Sequence, residues 1–153
     1  MNVSKSLNEA YVEARTRLQQ LTIQLTENDL RKTLSPSSNS IGFLQQHIAD
    51  VELLFSKNVF KSLDINVRAK TIIEKKDTGE WTNLIEILAY LEEARNKIYY
   101  AIHVQGDNSW NELVTTNEFG TKSKIEAYGR IISHTAYHTG QIALILKYGK
   151  TEN

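Results

Sequence analysis

The sequence predicts an all-α protein, a bundle of four helices. Three observations carry that reading. Proline occurs once, at Pro36, and glycine seven times in 153 residues, so few positions interrupt a helix. Four long segments repeat apolar residues at alternating steps of three and four, the period of one helix face. No segment alternates convincingly at period two, as a half-buried strand would. The length fits one domain, read as residues 1–153. A chain of this size buries about 68–70% of its unfolded surface, enough for a core without staples.

The first helix is expected from about Val3 to Thr26, with Leu7, Tyr11, Ala14, Leu18, Leu21 and Leu25 as its stripe. The run Ser35-Pro36-Ser37-Ser38-Asn39-Ser40 breaks it and offers N-caps for the next. The second helix is expected from Ser40 to Lys61, with Ile41, Leu44, Ile48, Val51, Phe55 and Val59 inward. Residues 62–80 read as a long polar connection tacked down by Ile65, Val67, Ile72 and Ile73. A connection of that length can cross the whole bundle, so the helices it joins need not be antiparallel. The third helix is expected from Trp81 to Val104, on Leu84, Leu88, Leu91, Ala94, Ile98 and Ile102. Gly106-Asp107-Asn108-Ser109 ends it, and a second loop follows to Gly120. Thr121 is the expected N-cap of the last helix, Tyr148 its end and Gly149 its C-cap.

Composition narrows the function. Lysine plus arginine and aspartate plus glutamate both number 18, and the basic residues are dispersed. A balanced chain lacks the broad positive footprint of a nucleic-acid binder, so no nucleic-acid partner is expected. No run of about 18 apolar residues occurs, so no membrane partner is expected either. The N-terminal stretch lacks the apolar core of a signal peptide, and a cytoplasmic location is the expectation. Cysteine is absent. Any metal must therefore sit on histidine, carboxylate or water, and any thiol must arrive with a substrate or cofactor.

The informative stretch is Ser133-His134-Thr135-Ala136-Tyr137-His138-Thr139-Gly140-Gln141-Ile142. Two histidines four apart lie one turn above each other on a helix face, so both imidazoles can reach one cation. His47, between Leu44 and Val51 on the second helix, lies on the buried face or its edge and supplies a third. Three protein ligands with one open position is the pattern of catalytic rather than structural zinc. Asp50 and Gln141, each three residues beyond a histidine, are candidates to accept the second ring N–H and orient the imidazoles. The alternative is a set of hydrogen-bonded core histidines. The fourth histidine, His103, reads as a surface or capping residue, and Tyr137 as a packing residue. The zincin motif is absent because Thr135 stands where its glutamate is needed, and no Glu-x-x-His pair marks a di-iron bundle. P-loop, dinucleotide-binding and nucleophile-elbow motifs are also missing.

These residues resemble the DinB/YfiT-like superfamily of bacterial metal-binding bundles, across nearly the whole chain. The resemblance rests on Asn39-Ser40-Ile41-Gly42-Phe43-Leu44-Gln45-Gln46-His47, on His134 to Ile142, and on the closing Lys147-Tyr148-Gly149. It implies an up-down-down-up bundle, a homodimer, and a divalent transition metal such as zinc or nickel on His47, His134 and His138. It also implies a metal-dependent enzyme acting on a small-molecule substrate, such as a low-molecular-weight-thiol S-transferase. A non-catalytic metal-binding or stress-related bundle protein is the alternative.

Overall fold

A computed structural model describes residues 2–151. The first helix, α1, spans Val3–Thr22, and the Asn2 side chain accepts from the Lys5 N–H to cap it. It stops four residues short of the expected Thr26. Thr26 instead opens a 3₁₀ turn, Glu27–Arg31, through a reciprocal capping box with Asp29. A short strand, β1 (Lys32–Thr33), follows. Helix α2 covers Ile41–Asn58, and Ser40 caps it by accepting from the Phe43 N–H at 3.2 Å.

The connection after α2 is not featureless. It contains a one-turn helix, α3, at Lys70–Glu74. Ile65 and Val67 pack on the core as expected. Ile72 and Ile73 do not; they face solvent, while Ala69 and Thr71 turn inward. The crossover presses closely on α2. A Cβ on Gly42 would lie 1.9 Å from the Trp81 carbonyl oxygen, so only glycine fits there.

Helix α4 spans Leu84–His103, with the Asn83 side chain accepting from the Glu86 N–H. Trp81 therefore precedes the helix, contrary to expectation, and its buried ring packs edge-on against Phe43. Leu91, Ala94, Ile98 and Ile102 are buried as the stripe requires. At its first turns Ile87 takes the inward place expected of Leu88, which is 36% exposed. Both lie one turn from Leu91, so spacing alone could not choose between them.

A 3₁₀ turn at Asp107–Asn111 leads into a hairpin of β2 (Leu113–Thr116) and β3 (Gly120–Ser123), where the sequence predicts a loop. Four-residue strands with half-exposed threonines carry no alternating apolar signal. Helix α5 then runs Lys124–Tyr148. Its cap is Ser123 rather than Thr121, in a capping box with Glu126. Thr121 is occupied within β3, facing Thr115. A final strand, β4 (Lys150–Thr151), pairs antiparallel with β1.

Cross-bundle contacts fix the helix directions. The Gln45 amide reaches Thr22, while Tyr11 reaches Glu52, so α1 and α2 are antiparallel. Gln105, just beyond α4, donates to the carbonyl of Phe60, just beyond α2, so those two are parallel. Tyr128 bonds the Leu7 carbonyl, and β4 meets β1, so α5 runs with α1. The arrangement is up-down-down-up.

One charged cluster ties all four long helices together. Glu52 on α2 accepts from the Arg15 guanidinium of α1 at 3.1 and 3.0 Å, and from Tyr11 at 3.0 Å. Arg15 also donates to the Leu91 carbonyl of α4, and Thr135 of α5 donates to Glu52 at 3.4 Å. Burial and the adjacent Glu52 push the Tyr11 hydroxyl pKa well above its ordinary value. Glu52→Ala would leave the Arg15 charge buried and unpaired, and a loss of about 3–5 kcal/mol is expected in urea denaturation. The paired replacement Arg15→Met/Glu52→Leu should cost less than Glu52→Ala alone. A single variant no worse than the double would refute the ion pair's role.

Candidate metal centre

Helices α2 and α5 pack side by side and antiparallel, which sets His47 opposite the two histidines of α5. One ring nitrogen from each of His47, His134 and His138 lies within 4.8 Å of the others. The His47 and His134 Nε2 atoms are 3.1 Å apart. All three rings are half-buried. They line an open cleft of about 1320 Å³, walled also by α2, the crossover and the tip of the β2–β3 hairpin.

Two of the rings are fixed by hydrogen bonds on their far sides. His138 Nδ1 lies 2.6 Å from Gln141 Oε1. A carbonyl oxygen only accepts, so His138 carries its proton on Nδ1 and a lone pair on Nε2. His47 Nδ1 lies 3.1 Å from the Thr71 hydroxyl. That hydroxyl donates its one proton to Asp50 Oδ2 at 2.7 Å, so it must accept from His47. His47 is thereby also held as the Nδ1–H tautomer with its Nε2 lone pair free. Asp50 accepts further from the Thr71 N–H at 3.0 Å and the Tyr90 hydroxyl at 2.7 Å. Phe43 stacks against the His47 ring at 5.9 Å and 6°.

Asp50 therefore bears on His47 through Thr71, not directly. Thr71 lies 24 positions from His47 in a stretch read as a polar tether, and no local spacing in the sequence announces it. Gln141 touches His138 itself. Tyr137 is 65% exposed rather than packed, with its ring edge toward His138, and His103 is exposed on the last turn of α4.

The electrostatics favour neutral, ligating imidazoles. Burial first, then the neighbouring His138, lowers the His47 pKa to about 4. Burial and the charges of His138, His47 and Arg130 lower His134 to about 3. Burial also lowers His138, opposed by its bond to Gln141. Two fixed lone pairs and a third imidazole converge on one point, and His134 Nδ1 is buried without a hydrogen-bond partner. Three imidazole nitrogens suit zinc, nickel, copper or iron alike. The three histidines could thus hold a metal ion beside the cleft.

Fold and site together define a four-helix bundle with a histidine triad able to bind a metal ion. The chain belongs to the DinB superfamily: the model of that family matches residues 10–142, a span containing all three histidines. No curated protein matches the chain.

Two outcomes follow for the metal-free protein and its ion. Unfolded histidine titrates at about 6.5, whereas folded His47 and His134 resist protonation until about 4 and 3. Between those values the unfolded chain binds more protons, so stability falls as pH drops from 7 towards 4. Urea midpoints at pH 7 and pH 5 should show a loss that shrinks in His47→Gln/His134→Gln; equal slopes would rule out this origin. Separately, Thr71→Val should weaken zinc binding about 10–100-fold in chelator competition, with Thr71→Ser restoring it. Unchanged affinity in Thr71→Val would show that the ring needs no such support.

Proposed function

We propose that this protein is a metal-dependent enzyme that transfers a low-molecular-weight thiol to an electrophilic small molecule. The observation that carries the reading is the triad itself: three neutral imidazoles brought together in the lining of an open cleft. His47, His134 and His138 would hold the ion, proposed here as zinc or nickel. A bound ion would supply the positive charge that favours a substrate thiol as thiolate. The absence of cysteine fits this, since the nucleophilic sulfur must come from outside the chain.

The chain's own residues have separable parts. Thr71 and Gln141 hold two rings with their lone pairs towards the ion position. Arg130 pairs with Glu118 at 2.8 Å and lies over the Phe119 ring at 5.5 Å, which pins the hairpin tip beside the site. Phe119 in turn meets Phe55 at 6.0 Å, giving the cleft an apolar wall that limits water. In the transfer, the thiol sulfur bonds to an electrophilic carbon. The leaving group departs with the bonding pair, and the thiol proton passes to solvent.

A homodimer in the cytoplasm completes the proposal. Tyr137, Leu144 and Tyr148 are more than half exposed on the outer side of α5, which supports a face covered by a second copy. No helix among the described residues is long and apolar enough to cross a membrane.

Elemental analysis of protein purified without an affinity tag tests the central claim. Near-stoichiometric zinc or nickel is expected, lost in His134→Ala/His138→Ala with the fold retained by circular dichroism. The loaded protein should then turn over a thiol with an electrophile such as an activated haloarene, and sediment as a dimer. No metal, even after incubation with zinc or nickel, would reduce the triad to core histidines. Metal without turnover across a broad thiol screen would favour a non-catalytic binding protein, and a monomer at high concentration would remove the dimer.

A further inference from the structure

We propose that the cleft over the histidines takes an organic anion with an apolar body, and that Lys57, Lys61 and Lys75 hold its negatively charged end. This names the substrate class of the site and rests on the reading that substrate enters through that cleft. The chain as a whole is balanced, with 18 basic and 18 acidic residues. The cleft is not. Its charged lining other than the histidines consists of those three lysines and Glu118. Glu118 is already engaged by Arg130. The three lysines are exposed and make no ion pair among the described residues, whereas Lys32, Lys70, Lys97 and Lys124 each do. A concave surface with one sign of charge concentrates ligands of the opposite sign.

The apolar part of the cleft supplies the rest of the recognition. Leu54 on α2, Ile72 on α3 and Phe119 at the hairpin tip line the cleft with part-exposed apolar side chains, over the buried Val51, Phe55 and Val59. Lys57 stands in the last turn of α2, about 15 Å along the helix from His47, and Lys61 lies just beyond it, while Lys75 caps α3 on the crossover side. A ligand lying along the cleft would meet apolar side chains in the middle and cations at its far end.

The backbone adds an independent observation. Lys61 and Lys75 adopt φ of 61° and 56°, the left-handed region where glycine is the favoured residue. Left-handed residues commonly end helices, as Lys75 does for α3, and strained non-glycine residues also cluster at functional sites. Among the described residues, two of the three such residues are lysines lining this cleft.

Octanesulfonate, octanol and octyltrimethylammonium share one apolar tail and differ in head charge, and sulfonate is a poor metal ligand. Each would be titrated calorimetrically into the full-length protein, metal-free and zinc-loaded, at low and high ionic strength. The sulfonate should bind about tenfold tighter than octanol, because three exposed cations each contribute a fraction of a tenfold step. The ammonium should bind weakest, and the preference should shrink with salt. Lys57→Gln/Lys61→Gln/Lys75→Gln should bring the sulfonate down to the octanol level while leaving octanol unchanged. Lys61→Gly/Lys75→Gly removes charge where glycine suits the backbone, so it should keep its melting temperature and lose most of the preference. Equal binding of the three heads, or a preference that survives the triple substitution, would overturn the inference. Zinc uptake is read on the same samples. Protein that takes zinc without discriminating heads removes this inference alone, and protein that discriminates without taking zinc removes the metal reading alone.

Discussion

The buried carboxylate of Glu52 is the constraint on which the bundle depends. It sits on one helix and is answered by side chains from two others, while its partner Arg15 reaches the backbone of the fourth. Apolar stripes drive the helices together but tolerate sliding, because one buried leucine replaces another at similar energy. A buried charge does not slide: any register that separates Glu52 from Arg15 leaves two ions in the core without compensation. The cluster lies between two apolar regions, one around Leu18, Leu44 and Ile142, the other around Tyr11, Phe55 and Ile131. It therefore fixes the register of both.

That register sets the candidate site. Glu52 follows His47 on α2 by five residues, and Thr135 directly follows His134 on α5. The Glu52–Thr135 contact inside the bundle thus holds the two helices where His47 meets His134 and His138. Helix α2 serves two directions at once. Glu52 points into the bundle, while Asp50 turns to the crossover and captures Thr71 and Tyr90. The crossover is then drawn onto α2 tightly enough to require glycine at position 42. Its one helical turn delivers the hydroxyl that orients His47. Stability and ligand geometry are coupled through adjacent turns of one helix.

The histidine triad was legible because each part obeys a short-range rule. A four-residue spacing puts His134 and His138 on one face, and the apolar stripe of α2 puts His47 at the edge of another. Gln141 followed from the same periodicity. Asp50 was legible as an acid near His47, but its route through Thr71 was not. Thr71 reads as one more polar residue in a connection, and its value comes only from Asp50 fixing its proton. The Ser123–Glu126 capping box is a sequence-level pattern, yet Thr121 offered a cap two residues earlier. The pairing of Thr121 with Thr115 in the hairpin decides against it. The hairpin itself has no apolar alternation to betray it, because its tip is held by Arg130 and Phe55 rather than by a core of its own.

By itself the sequence determined four helices, their inward faces, and three histidines of a kind and spacing that suit one cation. These are local properties, set by periodicity and by the chemistry of imidazole. Only the tertiary structure decided that the three rings converge, which nitrogen each of two rings offers, and what else faces the cleft. Those depend on contacts between segments far apart in the chain: Glu52 with Arg15, Thr71 with His47, Arg130 with Glu118. The direction of a hydrogen bond and the sign of a cleft are properties of neighbours in space. No spacing rule along a single helix encodes them.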